Sequence, residues 1–290
     1  MAVRPFQPAP VAAAASVTDS DVSSASWFAP EWPGLPARVR ALTTTRLSGA
    51  SPAPYDDGQG GGGFNLGVHV GDDLANVRQN RASLRAVLPA EPLWLSQVHG
   101  TVVADASATA ASSAGAAGLP GAAPEADACI AHGPDAVCVI MTADCLPVLF
   151  ADVNGKVVGA AHAGWRGLAG GVLRRTLDAM RAAGAGEITA WLGPAIGPDK
   201  FEVGADVVQA FGPDAPASAF RPIEGSPGKF VADIYALARH VLQRDGVSQI
   251  SGGEYCTVTQ AERFYSYRRD KVTGRQATLI WITPEGEGST

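Results

Sequence analysis

Residues 136–171 bring together residue types that metal or nucleophilic chemistry requires. Cys145 directly follows an apolar run that predicts a buried strand, and His162 ends another such run further along the chain. A glycine-rich segment containing Arg166 then opens a helix whose start favours negative charge. A functional site is indicated, because a thiolate and an imidazole lie at strand ends and a helix start that attracts anions follows the second strand.

His99 adds a third candidate ligand, within the segment QVHG at 97–100. One cysteine and two histidines form a set that catalytic zinc accepts, with a fourth position left for water. Such an ion lowers the pKa of bound water from 15.7 to about 7. The spacing alone does not distinguish a metal site from ordinary core or surface residues. Cysteine is among the most buried residue types, and these three residues are not paired as in HExxH or CxxC.

Other polar residues near these segments have two interpretations each. Arg166 is either an anion donor or an exposed first-turn arginine, and His69 either lines a pocket or lies on the surface. Asp144 flanks Cys145 and is a candidate for orienting a ligand rather than for binding the metal itself. Further arginines that could serve an anion, or form ordinary ion pairs, are Arg46, Arg268 and Arg275.

Apolar periodicity predicts the elements that must position these residues. Strands are predicted at 39–45, 94–103 (with QVHG in its middle), 137–141, 146–150, 156–161, 187–192 and 276–283. Helices are predicted at 73–87, 168–183, 204–211 and from 234 onward. Asp233 is the predicted N-cap of the last helix and Gly246 its end. Because strands and helices alternate only in places, an α/β (α+β) sandwich with mixed sheets is expected.

The domain organisation is predicted to be simple. Residues 26–283 are expected to form a single domain with a low-complexity surface insert at 105–125. An Ala/Ser/Pro-rich extension at 1–25 is expected to be disordered, and 284–290 to be a flexible tail.

Composition excludes several classes of protein. A net charge of −6 argues against a nucleic-acid partner, which usually requires a basic patch. No run approaches the roughly 20 apolar residues of a membrane span, and three prolines interrupt the alanine-rich N-terminus, unlike a signal peptide. Four cysteines without a CxxC pair do not form a disulfide framework. These features predict a cytoplasmic location without a membrane partner.

A series of segments occurs in an order that resembles the YfiH family, long labelled polyphenol oxidase or laccase domain proteins. The segments are TTR (44–46), FNLGVHVGDD (64–73), QVHG (97–100), ADA (126–128), TADCLPVLF (142–150), AAHAGWRGL (160–168), LGPAIGP (192–198), FEVG (201–204) and FYSYRRDKVTGRQA (264–277). The resemblance covers about 27–282. It implies a layered α/β/β/α sandwich and a metal held by His99, Cys145 and His162, with Zn²⁺ as the expected ion and Cu²⁺ as an alternative.

The resemblance also implies an activity, because members of that family have been assigned as purine nucleoside phosphorylases with adenosine deaminase activity. The expected substrates are adenosine, inosine and methylthioadenosine, with inorganic phosphate attacking the ribose anomeric carbon. Arg166, helped by Arg46, is expected to hold the phosphate. Asn65, His69 and Asp127 are expected at the substrate, with Asp127 and His69 as candidates for the general acid. In deamination, a water activated at the metal would add to purine C6.

Two alternatives remain open on the residues alone. Without a metal, Cys145 activated by His162 would make a hydrolase or deamidase, including one that edits peptidoglycan precursors. A copper-dependent polyphenol oxidase is disfavoured, because an enzyme with several coppers needs more than the five histidines of this chain.

Overall fold

The computed structural model describes residues 26–108 and 123–284. The predictions for 1–25, for most of the 105–125 insert and for the end of the 284–290 tail lie outside the described residues. Within the described part, no helix is long and apolar enough to cross a bilayer.

The strands are β1 (Trp27–Phe28), β2 (Val39–Thr44), β3 (Pro92–Leu93), β4 (Val103–Asp105), β5 (Ala128–Ala131), β6 (Val137–Thr142), β7 (Leu146–Asp152), β8 (Val158–Ala163), β9 (Ile188–Leu192), β10 (Glu202–Gly204), β11 (Phe220–Pro222), β12 (Lys229–Ala232), β13 (Ile250–Gly252) and β14 (Gln276–Ile282). The helices are α1 (Leu74–Arg85), α2 (Trp165–Gly170), α3 (Val172–Ala182), α4 (Ala205–Phe211), α5 (Ile234–Arg244) and α6 (Tyr267–Asp270).

Two mixed sheets dominate the fold. One has five strands in the order β1-β2-β14-β6-β3, and the other has six in the order β13-β9-β7-β8-β5-β4. A small sheet, β10-β12-β11, lies apart from them. Most neighbouring strands are antiparallel, but β3 pairs with β6, β4 with β5, and β13 with β9 in parallel. The mixed-sheet prediction is therefore confirmed.

Strand alternation explains why the fold has four layers. Along β7, Val148 and Phe150 pack towards α3 and α5, while Leu149 faces the five-stranded sheet. Along β6, Cys138 and Ile140 join that core between the sheets, whereas residues on the opposite face of β6 pack with Leu84 of α1. Both central strands are therefore buried on both faces, and the α/β/β/α layering implied by the family resemblance is confirmed.

Local sequence signals set most helix ends. Asp73 and Asp233 cap α1 and α5, because their carboxylates accept hydrogen bonds from Ala75 N at 2.8 Å and Ala236 N at 2.9 Å. The predicted helix at 168–183 is wrong as a single element. Gly171 adopts φ +95°, a left-handed conformation that ends α2 and begins α3.

The predicted strand at 94–103 is also wrong. Only β3 and β4 flank this segment, and His99 adopts φ +62°. The Gln97 side chain replaces part of the missing ladder, because its amide donates to Met141 O at 2.8 Å and accepts from Met141 N at 2.9 Å. The apolar residues of the segment are typical of a strand, but the side chain of Gln97, and not a strand ladder, holds the segment at the end of β6.

Candidate active site

Three side chains far apart in the sequence form one cluster. The donor atoms of His99, Cys145 and His162 all lie within 4.8 Å of one another. Cys145 Sγ is 3.6 Å from His99 Nε2, and the two imidazole rings meet edge to face with centroids 4.7 Å apart. The structure therefore brings together the three residues that the sequence predicts as metal ligands.

The cluster fits a tetrahedral ion. Zinc bonds of about 2.0–2.1 Å to nitrogen and about 2.3 Å to sulfur place a nitrogen and a sulfur ligand about 3.6 Å apart. That spacing matches the 3.6 Å between Cys145 and His99. His162 Nδ1 lies 2.8 Å from the carboxylate of Asp127, so its Nδ1 carries the proton and its Nε2 is left for a metal. Three donors leave one coordination position open for water or substrate.

Cys145 lies in the short loop between β6 and β7, where Asp144 adopts φ +92°. The Asp144 carboxylate accepts from Thr257 Oγ1 at 2.6 Å and from Arg268 N at 2.6 Å. Asp144 therefore fixes the loop that carries the thiol and does not contact either histidine. The carboxylate that contacts a histidine of the cluster is that of Asp127, directly before β5.

The Asp127 carboxylate is fully buried and accepts four hydrogen bonds. One comes from His162, and the others come from three successive backbone N–H groups, those of residues 98, 99 and 100, at 3.2, 2.9 and 2.6 Å. Burial opposes ionisation, but the bonds from His162, Gly100 and Val98 outweigh it and lower the pKa of Asp127. The carboxylate is thus an anion held inside the protein.

The electrostatics of the cluster favour a thiolate. Burial raises the pKa of the Cys145 thiol, but the charges and hydrogen bonds of His162 and His99 outweigh it and lower the pKa to about 6. Burial likewise opposes protonation of His162, but Cys145 and Asp127 together raise the pKa of His162 to about 9. Without a metal, the imidazolium of His162 therefore lies between the anions of Cys145 and Asp127, and a metal that binds Nε2 would displace the proton held there.

Gly164 leaves room for the cluster. A Cβ atom on Gly164 would lie 2.8 Å from His99 Cδ2 and 3.0 Å from Cys145 Sγ, closer than side-chain atoms normally approach. The glycine at the entry to α2 is therefore required by the ligands, not by the helix.

The cluster opens into a cavity of about 610 Å³, a size typical of small-molecule sites. The lining residues include His99, Cys145 and His162, and around them Val68, His69, Arg81, Trp94, Leu95, Ser96, Gln97, Ala123, Met141, Thr142, Ala143, Tyr267 and Arg275. We refer to His69, Arg81 and Arg275 as the basic wall. Trp94 and Met141 supply buried apolar surface, while Tyr267 is 54% exposed at the rim.

The basic wall keeps His69 neutral at physiological pH. Burial, and then the positive charges of Arg275 and Arg81, lower the pKa of His69 below its usual value. Burial also lowers the pKa of Arg81 to about 10, which leaves its guanidinium charged. The wall therefore carries two permanent positive charges and an imidazole with one donor and one acceptor.

Asn65 holds the basic wall from behind. It is fully buried, and its side-chain oxygen accepts from Gly67 N and Arg275 N, each at 2.9 Å. Its amide nitrogen donates to Asp72 at 2.8 Å. Asn65 does not line the cavity, so it positions the backbone of Arg275 and the turn before His69.

Arg46 and Arg166, the expected phosphate ligands, do not line the cavity. Arg46 is 7% exposed and donates to the carbonyls of Asp56 and Ala261, which anchors the neighbouring loop. Arg166 is exposed, with its guanidinium 4.4 Å from the centre of the Trp165 ring. Arg81, Trp94 and Tyr267 were missed by sequence reasoning, because their positions depend on how distant segments fold together.

The chain is similar to several known proteins. Residues 40–283 match the family described as multi-copper polyphenol oxidoreductase laccase. A purine nucleoside phosphorylase, PA4543, of Pseudomonas aeruginosa is 49% identical over 259 residues, which cover 89% of this chain and 98% of the relative. The purine nucleoside phosphorylase YfiH of Escherichia coli is 48% identical, with 87% and 97% covered.

Two solved structures share the fold. The Neisseria meningitidis protein NMB0706 superimposes with a TM-score of 0.77 and 45% sequence identity, covering 90% of this chain and 100% of that one. YlmD from Geobacillus stearothermophilus gives a TM-score of 0.76 at 31% identity, covering 90% and 97%.

Proposed function

The chain belongs to the multi-copper polyphenol oxidoreductase laccase family, which includes YfiH, and on that basis we propose that it is a metal-dependent purine nucleoside phosphorylase. The observation that carries the proposal is the His99–Cys145–His162 cluster at the floor of a cavity with a basic wall. The names of the similar Pseudomonas and Escherichia proteins support the reaction class.

The metal would be Zn²⁺ held by His99, Cys145 and His162, since two imidazoles and a thiolate suit it. When bound, zinc supplies Lewis-acid chemistry and an acidic water. The protein's own contribution is to hold the three donors in place and to offer the fourth position towards the cavity.

Inorganic phosphate would bind at the basic wall. Arg275 and Arg81 supply positive charge there, and His69 supplies a neutral N–H donor. This assignment replaces Arg46 and Arg166, whose guanidinium groups lie away from the cavity. A bound phosphate dianion would in turn raise the pKa of His69, which favours a proton shared between them.

The purine would pack between Tyr267 at the rim and the apolar surface of Trp94 and Met141. A phosphate oxygen then attacks ribose C1′, the bond from C1′ to purine N9 breaks, and the purine leaves with a proton from solvent or His69. Asp127 is not the acid, because its buried carboxylate is already saturated by four donors.

We propose adenosine deaminase activity at the same cluster. Water adds at purine C6 and ammonia leaves, as in zinc deaminases. The nucleoside occupies one cavity in both reactions, and only the nucleophile differs. Adenosine, inosine and methylthioadenosine are the proposed substrates of phosphorolysis, and adenosine is the proposed substrate of deamination.

A second candidate function has one observation in its favour. The lowered pKa of Cys145 beside His162 describes an activated thiolate, as in cysteine hydrolases, including those that act on peptidoglycan peptides. A copper polyphenol oxidase has less support, because the described residues contain one group of three ligands and not several.

One experiment separates these functions. The purified protein is assayed with adenosine and inosine, with and without phosphate, before and after treatment with a chelator, alongside metal analysis. We expect about one equivalent of zinc and phosphate-dependent release of purine that the chelator abolishes and Zn²⁺ restores. Full turnover in chelated protein would overturn the metal-dependent function and favour the thiolate.

A further inference from the structure

We propose that Asp127 is the positioning residue that joins two of the three metal ligands into one preorganised unit. The inference rests on the proposed metal centre and extends it to a residue outside the cavity. Asp127 precedes β5, whereas the ligands it serves lie on β8 and on the QVHG segment. Because β5 pairs with β8 at Ala128 and Ala161, and with β4 at Ala128 and Val103, the sheet brings both segments to Asp127. The carboxylate then links their side chains and backbone at the site itself.

The first connection is to His162. Asp127 Oδ1 lies 2.8 Å from His162 Nδ1, and His162 N also donates to the main-chain oxygen of Asp127 at 2.7 Å. Because an ionised carboxylate only accepts hydrogen bonds, the imidazole must carry its proton on Nδ1. That tautomer leaves the lone pair on Nε2, the atom directed at Cys145 and His99.

The second connection is to His99. Its φ of +62° is uncommon for a residue with a side chain, so something must hold the backbone there. The carboxylate does so, because Oδ1 accepts from His99 N at 2.9 Å and Oδ2 accepts from Gly100 N at 2.6 Å and Val98 N at 3.2 Å. Three consecutive N–H groups thus converge on one anion.

The neighbouring glycine is consistent with this role. A Cβ on Gly100 would lie 3.3 Å from Asp127 Oδ2, so the backbone approaches the carboxylate closely at this point. Asp127 is saturated by these bonds and has no exposed surface. It consequently acts through the two histidines and not on substrate.

The chain offers a matched control for loss of a buried carboxylate. Asp152, at the end of β7, is also fully buried, and it accepts backbone bonds from Gly186 N at 3.0 Å and Lys156 N at 3.1 Å. It contacts neither histidine. Asp152→Asn therefore reports the general cost of removing such a charge, whereas Asp127→Asn reports the effect on the ligands.

The experiment measures metal binding, not turnover. Wild-type protein, Asp127→Asn and Asp152→Asn are stripped of metal and titrated with Co²⁺ and Zn²⁺ against a chromophoric chelator, with the thiolate-to-cobalt absorption band recorded. We expect Asp127→Asn to weaken binding about 10- to 100-fold and to change the cobalt spectrum. Asp152→Asn should leave both unchanged. Wild-type affinity and spectrum in Asp127→Asn would overturn the proposal.

A measurement on wild-type protein covers the case in which Asp127→Asn does not fold. Nitrogen-15 NMR of the zinc-loaded protein should show His162 protonated at Nδ1, with its proton shifted downfield by the carboxylate. A proton on Nε2 instead would overturn the role of Asp127. Weaker Co²⁺ binding in Asp127→Asn than in wild-type protein, together with no nucleoside cleavage by the wild type, would support the role of Asp127 while refuting the proposed function, so the two failures are distinguishable.

Discussion

The ligand cluster and the basic wall face each other across one cavity but are held in different ways. Around His99 and His162, the buried carboxylate of Asp127 accepts three backbone N–H groups and one imidazole, and a Cβ at Gly164 would meet His99 at 2.8 Å. Across the cavity, the arginines of the basic wall donate to backbone carbonyls, Arg81 to Leu66 O and Arg275 to the oxygens of residues 273 and 274, and Tyr267 at the rim is 54% exposed. The comparison indicates that one side requires fixed geometry, while the other side has room to adapt to its ligand.

Removing one of the three proposed metal ligands should have the largest effect on activity, because the geometry of the ligand cluster serves to hold the metal. Cys145→Ser is expected to lose the metal and to reduce kcat/KM for phosphorolysis about 1,000-fold or more. Cys256→Ser is the matched control, because Cys256 is partly buried like Cys145 but does not line the cavity. Metal content and initial rates check both variants. If Cys145→Ser keeps both its metal and its rate, then the activity does not depend on a metal held by this thiol.

A single added methyl group should also disturb the geometry of the ligand cluster. Gly164→Ala places a Cβ against His99 and Cys145, and the resulting displacement is expected to reduce kcat about 10- to 100-fold. Gly133→Ala is the control, because no atom lies within 4 Å of its added Cβ. Thermal unfolding separates a local effect from misfolding. Equal rates in the two variants would mean that the cluster tolerates movement.

The basic wall should respond in KM rather than in metal content. Arg275→Gln removes the guanidinium charge and shortens the side chain while keeping a polar end, and KM for phosphate is expected to rise about 10- to 100-fold while bound metal is unchanged. Arg166→Ala should leave KM for phosphate unaltered, because its exposed guanidinium lies on Trp165. A rise in KM for Arg166→Ala alone would restore the assignment made from sequence.

The electrostatics of the ligand cluster predict a smaller effect, on the pH dependence of Cys145 alkylation in chelator-treated protein. Because the pKa of Cys145 is lowered to about 6, its alkylation by iodoacetamide should be half-maximal near pH 6 and level above about pH 7. A thiol at the ordinary value of 9.0 would instead react about tenfold faster with each pH unit over that range. Cys145→Ser supplies the background rate from other thiols.

Sequence reasoning located the ligands better than it located the wall. Strands β6, β7 and β8 follow from apolar runs, and they place Cys145 and His162 at adjacent strand ends. His99 was expected in a strand, because a left-handed residue held by a distant carboxylate leaves no local pattern. Arg166, helped by Arg46, was predicted to hold phosphate, and Arg275 was among the further candidates, whereas Arg275 and Arg81 are the arginines that line the cavity. Which of several arginines faces a cavity is decided by tertiary packing and not by spacing.

The central claim is that one ion is held by two imidazoles and a thiolate. X-ray absorption at the zinc edge of the purified protein tests it most directly. We expect about one zinc per chain, with two nitrogen neighbours at about 2.0–2.1 Å and one sulfur neighbour at about 2.3 Å, and with the sulfur lost in Cys145→Ser. A zinc shell without sulfur, or fully active protein without metal, would contradict the account.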